Sequence, residues 1–480
     1  MYVEQNVIMT SLRTSTHIHM IGIGGAGLSA IALYLIERGL KVTGSDRERS
    51  GFAKCVENAG GEVYIGHKSD QVLGADLVIR SSAVLEDNEE VIAAQVAGIP
   101  VYKRSDFLGK LMEGYQGIAV AGTHGKTTTT AMIAWVLTDL GLDPSYIIGG
   151  VANNLGANAH AGQSSQFVIE ADEYDRMFLG LQPEIAVITN VEYDHPDCFQ
   201  TPEDFYQAFV EFVGRLLLDG VLVVCADDRN AISLNDVAKD QGKATISYGL
   251  GLIPDRTKPD YMGHNLEIQE NGAFSFEVIH NGVNLAKIFL KVPGRHNVLN
   301  ALAAFAVSHF LEKPPKMVAA ALGDFTGVDR RFEVRGEIAG VVVIDDYAHH
   351  PTEIRATLSA ACDRYANQEL WVVWQPHTYS RTTIYFEEFA HSFQAADHVI
   401  ITKTYAAREA ARRSELEEEL VREMDHSDAR FIPDFDQVSA YLSTHLHPGS
   451  VVMVLSAGDA QQIGSSVLED LSRRTKTPDV

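Results

Sequence analysis

A strand, a glycine loop, a lysine and a helix follow one another between residues 117 and 141, and this stretch constrains the fold most. Gly117 to Ala121 is an apolar run typical of a buried strand, and Thr127 to Gly141 has the apolar spacing of a helix. In such an arrangement the loop N–H groups and the positive end of the helix dipole face an anion. The stretch therefore predicts a phosphate cradle and the use of a nucleoside triphosphate.

Within this loop, Lys126 is placed to lie along the phosphates and the Thr127 hydroxyl to ligate Mg²⁺. The loop is two residues shorter than the general pattern G-x-x-x-x-G-K-[ST]. The alternative is an ordinary strand-to-helix turn with a solvated lysine, which requires glycines, lysine and threonines to meet by chance. The predicted ATP-binding loop comprises Gly122, Thr123, His124, Gly125, Lys126, Thr127 and Thr128.

A second glycine loop lies near the start of the chain. His17 to Gly22 has the pattern of a strand, residues 22–27 fit G-x-G-x-x-G, and Leu28 to Arg38 has the pattern of a helix. Asp46 lies about 20 residues beyond the glycines, as in dinucleotide-binding folds. A nicotinamide-dependent dehydrogenase is therefore one candidate. The pattern requires only a pyrophosphate at a helix N-terminus, however, so a UDP group fits equally well.

Polar side chains follow several of the predicted strands. Glu170 ends one apolar strand and His195 follows the next. Because ligands lie beyond the carboxyl ends of strands in a parallel α/β sheet, both belong at the mouth of the phosphate cradle. Carboxylate, imidazole and threonine hydroxyl are suitable ligands for Mg²⁺ bridging ATP and substrate, whereas a helix-capping or core histidine is the alternative for His195. Ser81 and Ser82, at an earlier strand end, either bind an anion or cap a helix.

Three further segments bear on the fold and the site. Asn297 and Asn300 lie near a helix start, where their amides either recognise an adenine edge or cap the helix. Residues 260–292 alternate apolar and polar around an Asn-Gly turn, which predicts a β-hairpin closing the middle domain. In the C-terminal third, polar runs follow strands that end at Asp345 and Trp374, and these are candidates for closing over ATP and binding a small zwitterion.

Composition limits the class of protein. A chain of 480 residues is too long for one core and indicates about three domains. The net charge of −25 disfavours nucleic acid and anionic membranes as partners. The four cysteines are far apart and form no C-x-x-C pair, which is typical of reduced thiols. With no signal-peptide pattern and no long apolar run, we expect a cytoplasmic protein.

Taken in order, these motifs resemble those of the ATP-dependent Mur ligases of peptidoglycan synthesis, over about residues 17 to 460. The short phosphate loop is similar to the loop of that family, which accounts for its spacing. Residues 23–27 and 375–381 most resemble the members that attach L-alanine to UDP-N-acetylmuramate. Residues 173–175 and 193–195 are slightly more similar to the members that attach a ready-made tripeptide to the same nucleotide. Those members are the alternative.

The resemblance implies an α/β protein of three domains with a Mur ligase architecture. A Rossmann-like domain at 1–115 would bind the UDP substrate, a P-loop ATPase-like domain at 116–325 would bind ATP and Mg²⁺ or Mn²⁺, and a Rossmann-like domain at 326–480 would close with the amino acid. The lactyl carboxylate of UDP-N-acetylmuramate would attack the γ-phosphate of ATP, and the amine of L-alanine would attack the resulting acyl phosphate. The partners would be these small molecules, and the chain a monomer or homodimer.

The resemblance also implies roles for single residues. UDP-substrate contacts are expected from Gly22, Gly24, Gly25, Ala26, Gly27, Ser29, Asp46, Ser81 and Ser82. Metal contacts are expected from Thr127, Glu170 and His195. Beyond the phosphate loop, ATP contacts are expected from Asn297, Asn300, Arg330 and Asp346. The amino acid and acyl phosphate are expected to meet Tyr347, His349, His377 and Arg381. The catalytic residues would be Lys126, His195, His349 and Arg381.

Two other classes of protein compete with a ligase. A dehydrogenase would use the first glycine loop but leaves the second phosphate loop unexplained. A nucleotide-regulated binding protein needs no pair of polar strand ends in a third domain.

Overall fold

The computed structural model describes residues 15–251, 258–407, 409–410 and 415–476. Within these residues, helices alternate with strands that form three sheets of five, ten and six strands. Most of the strand pairs are parallel, so the expected α/β class is confirmed. Among the described residues, no helix is both long enough and apolar enough to cross a membrane.

The first sheet is wholly parallel, with the order β3-β2-β1-β4-β5. Its strands are β1 (His17–Ile21), β2 (Lys41–Asp46), β3 (Glu62–Ile65), β4 (Leu77–Arg80) and β5 (Val101–Lys103). Its helices are α1 (Ala26–Glu37), α2 (Gly51–Asn58), α3 (Glu89–Val96) and α4 (Arg104–Met112). The strand order reverses between β1 and β4, and a doubly wound sheet binds its ligand beside such a point.

The second sheet has the order β15-β14-β13-β12-β11-β10-β6-β9-β7-β8. Its strands are β6 (Gln116–Ala121), β7 (Ser145–Ala152), β8 (Ala157–His160), β9 (Gln166–Glu170), β10 (Ile185–Ile188), β11 (Val221–Cys225), β12 (Ala244–Gly249), β13 (Tyr261–Ile268), β14 (Ala273–His280) and β15 (Val283–Pro293). Its helices are α5 (Lys126–Asp139), α6 (Pro202–Val213), α7 (Arg229–Asp240), α8 (Arg295–Phe310) and α9 (Pro315–Asp324), with a 3₁₀ turn at Tyr174–Gly180.

The antiparallel end of this sheet differs from the predicted single hairpin. Three strands, β13, β14 and β15, pair in succession, so that prediction is wrong in its strand count. The expected Asn281–Gly282 turn joins β14 to β15, and both of its residues have positive φ. A second Asn-Gly pair at 271–272 makes the other turn, where Gly272 has φ 73°.

The third sheet has the order β16-β17-β21-β18-β19-β20, and only its edge strand β16 is antiparallel. Its strands are β16 (Glu333–Ile338), β17 (Val341–Asp346), β18 (Glu369–Trp374), β19 (His398–Ile401), β20 (Ala429–Phe431) and β21 (Ser450–Leu455). Its helices are α10 (Pro351–Arg364), α11 (Tyr379–Ile384), α12 (Phe386–Ala390), α13 (Glu415–Glu423), α14 (Phe435–His445) and α15 (Gln461–Lys476). The proposed domain boundaries at 115/116 and 325/326 fall between the sheets.

Strand β6 lies between two cores, because alternate side chains of a strand point to opposite faces of its sheet. Ile118 and Val120 pack with α5 and α8 on one face. Ala119 and Ala121 belong on the other face to a core that also contains residues of α1 and α4 in the first domain. Tyr34 of α1 stacks on Phe167 of β9 with ring centroids 5.4 Å apart. A continuous apolar core therefore joins the first two domains.

Candidate active site

The predicted phosphate loop joins β6 to α5. Both of its glycines are required because neighbouring side chains approach the loop closely. Gly122 and Gly125 have φ values of 133° and 81°. A Cβ at 122 would lie 2.0 Å from Thr189 Oγ1, and one at 125 would lie 2.6 Å from Asn300 Oδ1. The predicted strand, loop and helix are thus present, with α5 beginning at Lys126. The N-terminus of α5 offers the backbone N–H groups that a phosphate needs.

Lys126 folds back over this loop. Its Nζ donates to the carbonyls of Gly122 (2.6 Å) and Thr123 (3.1 Å) and forms an ion pair with Glu173 Oε1 at 2.8 Å. Burial lowers the pKa of Lys126, but the charges of Glu173 and Asp172 outweigh burial and hold that pKa above its ordinary value. The lysine is therefore a cation at the phosphate loop.

Two of the three predicted metal ligands contact each other directly. Thr127 Oγ1 donates to Glu170 Oε1 at 3.0 Å, and the Gly149 N–H donates to Glu170 Oε2 at 2.7 Å. His195 instead lies 3.5 Å from Glu173 Oε1 through its Nε2. Glu173 thus connects the lysine to the histidine.

Glu173 was not singled out as a site residue from the sequence, although it lies only three residues after Glu170. Its side chain is buried, and no described residue gives a hydrogen bond to Oε2. The Thr127–Glu170 pair supplies hydroxyl and carboxylate oxygens, and the orphaned Glu173 oxygen with the His195 imidazole supplies two further donors of the types that suit Mg²⁺ or Mn²⁺. The residues present therefore fit the implied metal ion.

The loop after β10 meets the C-terminal domain through a buried ion pair. Arg381 Nε donates to Asp194 Oδ1 at 2.8 Å, and both side chains are about 95% buried. Burial raises the pKa of a carboxyl, but the charges of His195 and Arg381 hold the pKa of Asp194 well below its ordinary value. Asp194 is therefore ionised and fixes Arg381 next to His195.

Two predicted amino-acid contacts adjoin this pair. Arg381 Nη1 donates to His377 Nδ1 at 2.8 Å, and the rings of His377 and His349 lie 5.6 Å apart. Burial lowers the pKa of His349 to about 4 and that of His377 to about 2. His349 Nδ1 bonds to the Tyr347 carbonyl at 2.9 Å. Both imidazoles are thus neutral around pH 7, and the structure brings all four predicted amino-acid residues together.

A cavity of about 640 Å³ lies between the phosphate loop, α8 and the C-terminal domain. Asn297 and Asn300 line it, and their amides bond to the Pro293 carbonyl and to Asn297 Oδ1, respectively. Neither caps α8, since the residue before that helix is Gly294 and no side chain caps it. Their position is compatible with adenine contact, which stays a prediction.

Of the two residues of the C-terminal domain that are expected to contact ATP, one lines this cavity. Asp346 does so, and burial raises its pKa to about 6. Arg330 instead donates to Asp345 Oδ2 (3.3 Å) and to the Ser456 carbonyl (2.6 Å). Its neighbour Arg331 lines the cavity.

The first glycine loop is fixed by hydrogen bonds with side chains of its own domain. The Gly24 N–H donates to Asp46 Oδ2 at 2.8 Å, and Ser50 Oγ donates to the Gly24 carbonyl at 2.8 Å. Asp46 thus shapes the loop itself. Ser29 Oγ donates to the Ala26 carbonyl in the first turn of α1. Gly22 and Gly25 bond within the loop, through the N–H of Gly25 and the carbonyl of Gly22.

Ser81 and Ser82 follow β4 next to this loop, and neither caps a helix. Ser82 Oγ donates to Met177 Sδ at 3.5 Å, whereas the cap of α3 is Asn88. A second cavity, of about 200 Å³, is lined by Gly27 on one side and by Glu170 on the other. This cavity therefore reaches from the helix of the first glycine loop to Glu170, whose Oε1 accepts from Thr127 beside the phosphate loop.

Three family models match consecutive parts of the chain. Residues 17–116 match "Mur ligase family, catalytic domain", residues 120–308 match "Mur ligase middle domain", and residues 330–458 match "Mur ligase, glutamate ligase domain". The chain belongs to the Mur ligase family. The expected family, architecture and ATP-dependent ligase class are confirmed, and a nicotinamide-dependent dehydrogenase is not supported.

Similar proteins extend over nearly the whole of this Mur ligase. The UDP-N-acetylmuramate–L-alanine ligase of Geobacter sp. (strain M21) is 44% identical, covering 94% of this chain and 96% of that protein. The enzyme of the same name from Alkaliphilus metalliredigens is 41% identical, with 95% and 97% covered.

Among solved structures, UDP-N-acetylmuramate-alanine ligase MurC from Thermotoga maritima has a TM-score of 0.79 at 28% identity, covering 96% of this chain and all of that one. A murein peptide ligase, Mpl, from Psychrobacter arcticus has a TM-score of 0.70 at 27% identity, covering 97% of this chain and all of that one.

The partners of the phosphate-loop histidine in this Mur ligase are not predicted by the sequence. His124 Nε2 lies 2.9 Å from Glu192 Oε2, and its Nδ1 lies 3.2 Å from Glu353 Oε1 of α10. Glu192 Oε1 also accepts from Thr352 Oγ1 at 2.8 Å. His350 caps α10 in a capping box with Glu353. A residue that caps a helix, followed three residues later by glutamate, is a signal that could have placed this helix start.

Proposed function

We propose that this Mur ligase joins L-alanine to the lactyl carboxylate of UDP-N-acetylmuramate, with cleavage of ATP to ADP and phosphate, in the synthesis of peptidoglycan precursors. The observation that carries the proposal is the similarity over nearly the full length to relatives of that name, at 44% and 41% identity. The Thermotoga maritima structure also has a higher TM-score than the murein peptide ligase, 0.79 against 0.70.

The first chemical step brings a carboxylate up to a polyphosphate, so negative charges must be neutralised. Lys126 lies at the start of α5 and supplies a cation there, while the α5 N-terminus offers N–H groups. Thr127 and Glu170 on one side, and His195 with Glu173 on the other, would hold Mg²⁺ or Mn²⁺. When bound, this ion neutralises phosphate charge.

The second step needs an uncharged amine and a site that excludes water, because an acyl phosphate hydrolyses. Arg381 presents a buried guanidinium next to two neutral imidazoles, those of His349 and His377. The guanidinium suits the negative charge of the amino acid or the acyl phosphate. Since His349 Nδ1 bonds to a carbonyl, it carries the proton and Nε2 is the acceptor nitrogen. We propose that this nitrogen accepts a hydrogen bond from the amine of L-alanine.

The partners of the reaction are small molecules, and we place the reaction in the cytoplasm with the chain acting as a monomer or homodimer. The decisive experiment offers the purified protein UDP-N-acetylmuramate and ATP with either L-alanine or L-alanyl-γ-D-glutamyl-meso-diaminopimelate. We expect phosphate release and a new UDP-linked product with L-alanine. Product formed only with the tripeptide would assign the protein to the tripeptide-adding group instead. Phosphate release without any amine would contradict both assignments.

A further inference from the structure

The cavity of about 200 Å³ between the first two domains holds a cation that the reaction scheme does not use. One wall is the first turn of α1, with Ala26 and Gly27, and another contains Glu170, the last residue of β9, and Asp172. Arg104, the first residue of α4, lines the space between these walls. The cavity therefore connects the glycine loop expected to bind the sugar nucleotide with the carboxylates of the ATP site.

The guanidinium of Arg104 occupies the space in which a side chain at position 27 would lie. A Cβ built on Gly27 would be 1.4 Å from Arg104 Nη1. Gly27 has no positive φ, so close approach of the arginine is what requires glycine at this position. The third glycine of the G-x-G-x-x-G pattern thus admits a cation to the loop.

The guanidinium of Arg104 makes only weak hydrogen bonds with its neighbours. Nε and Nη2 of Arg104 contact Met177 Sδ at 3.2 and 2.7 Å, and a thioether is a weak acceptor. Nη2 is 3.3 Å from Asp172 Oδ2, and Nη1 has no hydrogen bond to any described residue. The side chain is only 18% exposed, so water compensates little. An arginine in this position has unused donors.

The electrostatic surroundings of Arg104 also favour the binding of an anion. Arg104 lies in the first turn of its own helix, α4, and contacts the first turn of α1. Both helix ends carry positive partial charge, so a cation there is unfavourable without an anion between them. Among the described residues, the carboxylate that pairs with Arg104 is Asp172, at 3.3 Å. A phosphate group would satisfy the guanidinium and the N–H groups of α1 together.

We propose that Arg104 is a substrate-positioning residue that binds the diphosphate of the UDP sugar and is held ready by Met177 and Asp172. This inference rests on the proposed function, because it assumes a sugar nucleotide at the first glycine loop. A planar guanidinium can hold two phosphate oxygens at once and so fix the direction in which the sugar leaves the loop. The far wall of the cavity carries Glu170, so the lactyl end is directed towards the ATP site.

The test compares Arg104→Met with Lys103→Met, which removes an exposed cation from the adjacent position. Calorimetric titrations use UDP-N-acetylmuramate, UDP and uridine, together with ADP as a report on the second nucleotide site. We expect Arg104→Met to weaken UDP and UDP-N-acetylmuramate binding about ten- to a hundredfold, as for loss of a charge-assisted hydrogen bond. Uridine and ADP should bind as in the wild type, and Arg104→Lys should restore part of the UDP affinity.

Several results would overturn the inference. Equal losses for uridine and UDP would indicate a structural role for Arg104. An unchanged UDP affinity, or one reduced equally by Lys103→Met, would exclude a specific phosphate contact. A loss confined to UDP-N-acetylmuramate would assign the arginine to the lactyl carboxylate instead of the diphosphate. If the wild type bound none of the uridine nucleotides, the proposed function itself would fail with the inference.

Discussion

The imidazole of His124 lies between two carboxylates, and its replacement by asparagine tests how the phosphate loop is tied to the C-terminal domain. Glu192 lies 2.9 Å from Nε2, Glu353 lies 3.2 Å from Nδ1, and the histidine side chain is 14% exposed. A doubly hydrogen-bonded imidazole must donate from both nitrogens, so it is protonated. His124→Asn removes this cation and leaves the two carboxylates without it.

The size and sign of the effect follow from the pKa. Burial lowers the pKa of His124, but the hydrogen bonds and charges of Glu192 and Glu353 outweigh burial and raise it from 6.5 to about 9. At 1.36 kcal/mol per pH unit, this interval corresponds to about 3 kcal/mol of stabilisation. Because the folded-state pKa is the higher one, the stabilisation is fully present below pH 6.5 and is lost as the pH rises through 9.

The assay is urea unfolding followed by tryptophan fluorescence, for wild type and His124→Asn, from pH 6.5 to 10. The difference in unfolding free energy between the two proteins should shrink by about 3 kcal/mol across this range. Taking the difference removes the contributions of other titrating groups. The control is His264→Asn, which replaces an exposed histidine on β13 and should give a profile parallel to the wild type. A difference between wild type and His124→Asn that is constant with pH, or grows with it, would refute the reasoning.

Three further substitutions probe the site. Lys126→Ala should abolish product formation while calorimetry still detects UDP-N-acetylmuramate binding; loss of both would contradict separate sites for the two nucleotides. Glu170→Gln should raise the Mg²⁺ concentration needed for half-maximal activity by about tenfold or more, and an unchanged Mg²⁺ titration would remove Glu170 from the metal site. Arg381→Met should destabilise the protein by about 3–5 kcal/mol in urea unfolding, because the buried Asp194 carboxylate loses its hydrogen-bonded cation. Adding Asp194→Asn should recover part of that loss, and no recovery would show that the ion pair is not the cause.

The sequence predicts best those features that a few consecutive residues decide. The phosphate loop is one, since its strand, its glycines with positive φ and its helix lie within about 25 residues and follow from local rules. The turn at Asn281–Gly282 is another. The predicted strand count at this edge is wrong because a second Asn-Gly pair, at 271–272, makes a further turn and adds a third strand.

Contacts between distant segments could not be predicted in this way. His124 and Glu353 are 229 positions apart, and no periodicity places one beside the other. Arg104 and Gly27 are a similar case, because the glycine pattern predicts a close approach but not which side chain makes it. Arg330 and Arg331 are neighbours of the same type, and the sequence does not show which one faces the cavity. In the structure Arg331 lines it, while Arg330 donates to the Ser456 carbonyl.

The contacts that the central domain makes with the first domain differ from those that it makes with the C-terminal domain. This difference indicates which domain opens. A shared apolar core joins α1 and α4 to the central sheet, and separating these two domains would expose that apolar surface to water. The cores of the C-terminal domain contain no described residue before Phe332. Its contacts with the central domain include Arg381 with Asp194 and His124 with Glu353, which water can replace when the domains separate. A reaction through an acyl phosphate needs entry for substrates and then exclusion of water. We therefore expect the C-terminal domain to be the one that opens and closes.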